Sequence, residues 1–64
     1  MTVRAHRRAR DISQESMAKM LGVSTGTYQN WEKKPEQITI ANAVKIAEIF
    51  GVSMNEIEFT SEEQ

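Results

Sequence analysis

There is no cysteine in these 64 residues, so neither a disulfide nor a thiolate metal site can staple the fold. There is one histidine, His6. With no companion ligand it does not make an imidazole metal site, and no metal or cofactor is expected. No apolar run approaches the roughly 20 residues that span a bilayer, and no signal-peptide core is visible. The expected location is cytoplasmic, with no membrane partner. His6 has no nucleophile to serve, and neither a glycine-rich phosphate loop nor a clustered acid pair occurs, so an enzyme and a small-molecule substrate are not expected. A chain of this length is one small domain. It buries only about 60% of its unfolded surface, which predicts modest stability unless a partner helps.

What is present is concentrated between Gln14 and Lys33. Ser13 caps a first helix, on which Met17, Ala18, Met20 and Leu21 recur at helical spacing as an apolar face. Gly22 stands where the chain must leave that helix with a positive φ, which glycine accepts without a Cβ clash. Val23 plugs the angle between two helices. Ser24 caps the second, expected from about Thr25 to Lys33. Tyr28 and Trp31 are its buried marks, three apart and on one face. Ala18 is small because the second helix crosses close to it. The opposite face carries Thr25, Gly26, Gln29, Asn30 and Lys33, which are polar or small. Gly26 costs roughly 1 kcal/mol against alanine inside a helix; close approach to a DNA edge and a plain first-turn glycine are both open. This is a helix-turn-helix, and it makes the chain a candidate sequence-specific DNA binder.

The net charge of −1 is unpromising for such a binder, but its distribution is not. Residues 1–34 carry Arg4, Arg7, Arg8, Arg10, Lys19, Lys33 and Lys34 against Asp11, Glu15 and Glu32. Residues 35–64 carry Lys45 against Glu36, Glu48, Glu56, Glu58, Glu62 and Glu63. The basic half holds the helix-turn-helix, and the acidic half would orient away from phosphate.

The remaining elements follow from caps and periodicity. Val3 to Arg10 reads as a helix with thin apolar content. Pro35 stops the recognition helix, and Lys33-Lys34-Pro35-Glu36-Gln37-Ile38 is a connector. Thr39 caps a helix from about Ile40 to Phe50, whose stripe is Ile40, Ala43, Val44, Ala47 and Phe50, widened by Ile46 and Ile49. Gly51 ends it. Ser53-Met54-Asn55-Glu56 reads as a capping box that opens a last short helix. Thr60 to Gln64 is a polar, acidic tail.

The set Gln14, Ala18, Gly22, Val23, Tyr28, Trp31 and Glu32, with Lys45-Ile46-Ala47-Glu48-Ile49-Phe50-Gly51-Val52-Ser53 later, resembles the Cro/CI-type repressors. These are the lambda-repressor-like or XRE family, and the likeness runs from about Val3 to Ile57. The resemblance implies an all-α, compact five-helix domain over residues 1–59, with the motif formed by helices 2 and 3. It implies an ion pair between Arg7 and Glu32 that ties the first helix to the recognition helix, with Arg7 also near a phosphate. Gln14 would contact a phosphate and brace a recognition side chain. Thr25, Gly26, Gln29 and Asn30 would face base edges; Ser24, Thr27, Lys33 and Lys34 would position the backbone. Two departures stand out. His6 occupies a place commonly held by leucine, where it is expected at the core edge with a polar tip. Lys34 replaces a frequent glycine. One domain covers a half-site, so a homodimer on a palindromic double-stranded operator is expected. Its surface would lie around Met54, Ile57 and Phe59, although Ile57 can equally be core. The function implied is transcriptional regulation, as a phage or prophage repressor. The alternative is an antitoxin-like or other protein-interaction module that keeps the fold.

Overall fold

Each α-helix opens on a hydroxyl. Thr2, Ser13, Ser24 and Thr39 have extended backbones, and their side-chain oxygens accept from the amides of Ala5, Ser16, Thr27 and Asn42. Each such cap contributes about 1 kcal/mol. They start α1 (Val3–Ala9), α2 (Gln14–Leu21), α3 (Thr25–Lys33) and α4 (Ile40–Phe50). The computed structural model describes residues 1–60; of the acidic tail, residues 61–64 lie outside the described residues.

Three of the four helices also end alike. Asp11, Gly22 and Gly51 have φ of 55°, 73° and 70°. The next amide in each case, from Ile12, Val23 or Val52, reaches back to the carbonyl of Arg7, Ala18 or Ala47. This is the Schellman closure, which satisfies carbonyls the helix leaves open. The aliphatic residue that follows each turn packs against the core. α3 ends differently, at Lys34, because Pro35 cannot continue it and begins a 3-10 turn (Pro35–Gln37).

The core gathers Val3 from α1, Met17, Ala18 and Leu21 from α2, Tyr28 from α3, Ile46, Ala47 and Phe50 from α4, and Ile57. Four expectations need correction. The last element is not a fifth helix but a single 3-10 turn (Met54–Glu56). The Glu56 carboxylate does accept from the Ser53 amide. Ile57, however, turns extended and enters the core, and Glu58 bridges in parallel to Thr2. The apolar face of α4 is rotated from the expected stripe. Ala43, Ile46, Ala47 and Phe50 are buried, whereas Ile40 is 79% exposed and Val44 39%. Met20, counted into the face of α2, is half exposed. Trp31 is only partly buried, while Tyr28 is fully so.

Candidate nucleic-acid interface

The inner side of α3 is held by a buried polar cluster. Arg7 Nε donates to Glu32 Oε2 at 2.6 Å, and Nη2 lies 3.4 Å from Oε1. Arg7 Nη1 donates to the Ile12 carbonyl at 2.7 Å. The Tyr28 hydroxyl donates to Glu32 Oε2 at 2.6 Å. Both charged residues are buried. Such a pair need not add net stability, but neither partner can be left alone at that depth. Burial acts to raise the Glu32 carboxyl, yet the hydrogen bonds from Arg7, Tyr28 and Gln14 outweigh it and hold the group below its usual range. Its hydrogen bond to Glu32 outweighs desolvation at Arg7 and raises that guanidinium further. Burial, then the bond to Glu32, pushes the Tyr28 phenol well up, so it stays a donor.

From this cluster a chain of amides runs to the surface. Gln14 Nε2 donates to Glu32 Oε1 at 2.9 Å, and Gln29 Nε2 donates to Gln14 Oε1 at 3.1 Å. A carboxylate only accepts, so Gln14 must turn its nitrogen inward and its oxygen toward Gln29. The buried charge thereby sets the orientation of two surface carboxamides. From the sequence Tyr28 was paired with Trp31, and Glu32 with Arg7; the i, i+4 spacing of Tyr28 and Glu32 is the signal that could have found their contact. The resemblance implied that Gln14 braces a recognition side chain; its hydrogen bond to Glu32 was not foreseen, because long side chains carry no sequence record of where they reach.

On the outer side, Gly26, Thr27, Gln29, Asn30 and Lys33 are exposed, as are Ser24 before them and Lys34 after, and Thr25 is half-buried. Ser24 and Thr27 also hold each other, the Ser24 hydroxyl donating to Thr27 Oγ1 at 2.9 Å. Asn30 Nδ2 donates to Gln37 Oε1 at 2.9 Å. This fixes the Asn30 side chain from the Pro35–Gln37 turn, and Gln37 was not among the expected site residues. Gly26 has nothing within 4 Å of the place a Cβ would take, so the fold itself does not require glycine there. Of the expected dimer residues, Met54 is exposed and Phe59 half-buried, while Ile57 is core.

His6 lies across α1 from this site. It is buried, stacked on Phe50 with ring centroids 5.4 Å apart. Its Nε2 donates to the Glu56 carbonyl at 2.9 Å, which leaves Nδ1 to accept from Arg10 Nη1 at 3.2 Å. Both ring nitrogens are satisfied structurally. Among the described residues, no cluster of ligating side chains could hold a metal, and no helix is long and apolar enough to cross a membrane.

Two short helices joined at Gly22, with a polar exposed edge on the second, define a helix-turn-helix domain of the DNA-binding kind. The chain matches the Helix-turn-helix family HTH_3 over residues 3–57 and belongs to it, within the XRE/Cro/CI type. The family is one of DNA-binding domains, so the chain is a DNA-binding domain of a transcriptional regulator class. No curated protein and no solved structure matches it.

Proposed function

We propose that this protein is a sequence-specific transcriptional repressor of the Cro/CI type, of phage or prophage origin, that lays α3 in the major groove of a palindromic operator. The observation that carries this reading is the exposed polar edge of α3, stiffened from behind by buried charge. Gln29 and Asn30 offer carboxamides that can pair with adenine N6 and N7, and the Thr25 methyl suits a thymine methyl. Gly26, free of any packing demand, lets the helix backbone approach a base edge. Ser24, Thr27, Lys33 and Lys34 act on phosphate and sugar. Gln14 contacts a phosphate and braces Gln29. Arg7 acts mainly through Glu32, because its buried guanidinium is already engaged on three sides. Two copies related by a two-fold axis occupy the operator, meeting around Met54 and Phe59.

The test is selection of bound fragments from random duplex DNA, followed by titration at two salt concentrations. The expected consensus is palindromic, with half-site centres about 10 base pairs apart or a multiple of that, and affinity falls as salt rises. Binding indifferent to sequence or to salt would remove the reading. A tight protein partner combined with no DNA preference would replace it with the antitoxin-like alternative. Gly26→Ala separates fold from function. It should stabilise the domain by up to about 1 kcal/mol while weakening operator binding.

A further inference from the structure

A pocket of about 190 Å³ opens between α1, the start of α2 and the second half of α3, lined by Arg4, Arg8, Gln14, Gln29, Glu32 and Lys33. Arg4 and Arg8 stand one turn apart on α1 and share a face. Neither belongs to the helix-turn-helix, and neither was among the expected DNA contacts. Among the described residues, Arg4, Arg8 and Lys33 make no ion pair. Glu32 is the lining's one carboxylate, and its oxygens already accept from Arg7, Tyr28 and Gln14. Three cations therefore converge on this space unopposed.

The amide chain adds to the same character. Gln14 turns its nitrogen to Glu32, and its oxygen is occupied by Gln29. Each of the two carboxamide nitrogens has one hydrogen to spare. The lining thus offers two guanidinium forks, an ammonium and amide N–H groups. This set rejects metal cations and fits an oxyanion.

The geometry points to a binding pocket for a single phosphate group, held by Arg4, Arg8 and Lys33 with the spare amide hydrogens of Gln14 and Gln29. Because Gln29 also borders the base-reading edge, the phosphate is one of the DNA backbone, and the DNA surface extends from α3 onto α1. That last step rests on the DNA-binding reading; the anion chemistry of the pocket does not.

The test has two arms. In the first, operator affinity is measured over a salt series for the wild type, for Arg8→Gln, and for the double variant Arg4→Gln/Arg8→Gln, with melting curves to check folding. One lost phosphate contact per copy, two per operator, should make the slope of log K against log salt shallower by about 2 in the double variant. Affinity should fall uniformly across sequences. Duplexes with one neutral methylphosphonate at a time should show one position in each half-site, the two related by the operator's symmetry, that weakens the wild type but not the double variant. If the double variant does not fold, Arg8→Gln, at an exposed position, must show the shallower slope. A folded variant with unchanged slope overturns the proposal while leaving DNA binding intact. In the second arm, inorganic phosphate is titrated against the wild type and side-chain NMR signals are followed. Shifts at Arg4, Arg8, Lys33 and the Gln29 amide support the pocket. Those shifts in a protein that binds no DNA would keep the pocket, assign it to free phosphate, and remove the DNA reading. An unchanged slope with no phosphate-induced shift removes the pocket altogether.

Discussion

Arg7 and Arg10 leave the same end of the chain, three residues apart, and are held by opposite means. Arg7 is buried and faces a carboxylate at 2.6 Å. Arg10 is exposed and, among the described residues, pairs with no carboxylate. It donates instead to the His6 carbonyl at 2.9 Å and the Phe50 carbonyl at 3.0 Å, with its guanidinium 5.0 Å from the Phe50 ring centre. Those carbonyls lie at the ends of α1 and α4, where helix dipoles favour a cation, and the ring face adds a weak attraction. The contrast follows from solvation. A guanidinium still touching water can be held by dipoles and a π face, whereas a buried one needs a counter-charge. The two clusters also have different duties. Arg7 organises, through Glu32, the amides that reach the exposed edge of α3. Arg10 and His6 tie α1 to the end of α4 and to the segment around Glu56.

The most damaging way to break the contrast is Arg7→Ala. It leaves Glu32 buried without its cation and should cost about 3–5 kcal/mol. In a domain of this size each kcal/mol moves the melting temperature by roughly 4–8 °C, so the variant's melting temperature should fall by roughly 12–40 °C. Arg7→Lys keeps the charge but not the fork, and should recover only part of the loss. Denaturant titration measures both. An Arg7→Ala protein as stable as the wild type would mean that burial does not separate the two arginines after all.

Acid sharpens the same comparison. Glu32 is held below its usual range in the folded chain, while an unperturbed glutamate titrates near 4.3. A carboxylate lowered by folding contributes its full stability above the unfolded value and loses it as pH falls through the folded one. The melting temperature should therefore hold from neutral pH to about 5 and fall below about 4.3. Glu56, held low by the Ser53 amide and hydroxyl, acts in the same direction from an exposed site. The informative quantity is thus the difference between wild type and Glu32→Gln, which should lose most of its acid limb. Arg10→Ala should keep that limb. If Arg10→Ala and Glu32→Gln flatten it equally, the two clusters are not electrostatically distinct.

At neutral pH Arg10→Ala should cost about 1–2 kcal/mol. That is the scale of one or two net hydrogen bonds with an exposed cation–π contact. It should leave operator affinity at full folding unchanged. A loss comparable to that of Arg7→Ala would erase the distinction between the clusters.

These clusters show what the sequence could and could not disclose. Local signals were strong. Ser13, Ser24 and Thr39 before three helices, and Gly22, Pro35 and Gly51 after them, placed their boundaries almost to the residue, because caps act within one turn; the Thr2 cap of α1 went unread. The rotation of α4 was not readable. Apolar residues stand at Ile40, Ala41, Ala43, Val44, Ile46, Ala47, Ile49 and Phe50. Two overlapping stripes therefore satisfy the same period, and only the packing partners choose between them. The capping box at Ser53 signalled a helix start. What ends that element after one turn is the burial of Ile57 and the bridge of Glu58 to Thr2, a contact between opposite ends of the chain. Arg7 and Glu32, 25 positions apart, were legible only through family resemblance. The partner of His6 Nε2 is a backbone carbonyl, which has no sequence signature.

The smallest effect tests the turn that follows the two arginines. Asp11 follows Arg10, and the next carbonyl, that of Ile12, accepts from Arg7. Asp11 takes a φ of 55° in the position that glycine fills after α2 and α4. Its neighbours make the same closing hydrogen bonds as those of Gly22 and Gly51. A residue with a Cβ pays strain there, of the order of 1 kcal/mol, and glycine would relieve it. Glycine also has more freedom to lose on folding, roughly 0.5–1 kcal/mol, so the two terms nearly cancel. Asp11→Gly should come out slightly stabilising, by about 0.5 kcal/mol, or a rise of roughly 2–4 °C in melting temperature at the scale of this domain. No side-chain hydrogen bond of Asp11 offsets that among the described residues. A fall in melting temperature would show that the aspartate carboxylate, one residue beyond Arg10 and four beyond Arg7 in sequence, acts on one of them. The same substitution in the Arg10→Ala background would then tell which. If the fall vanishes there, the partner is Arg10 and that cluster contains a counter-charge; if it persists, the carboxylate acts through the Ile12 turn on Arg7.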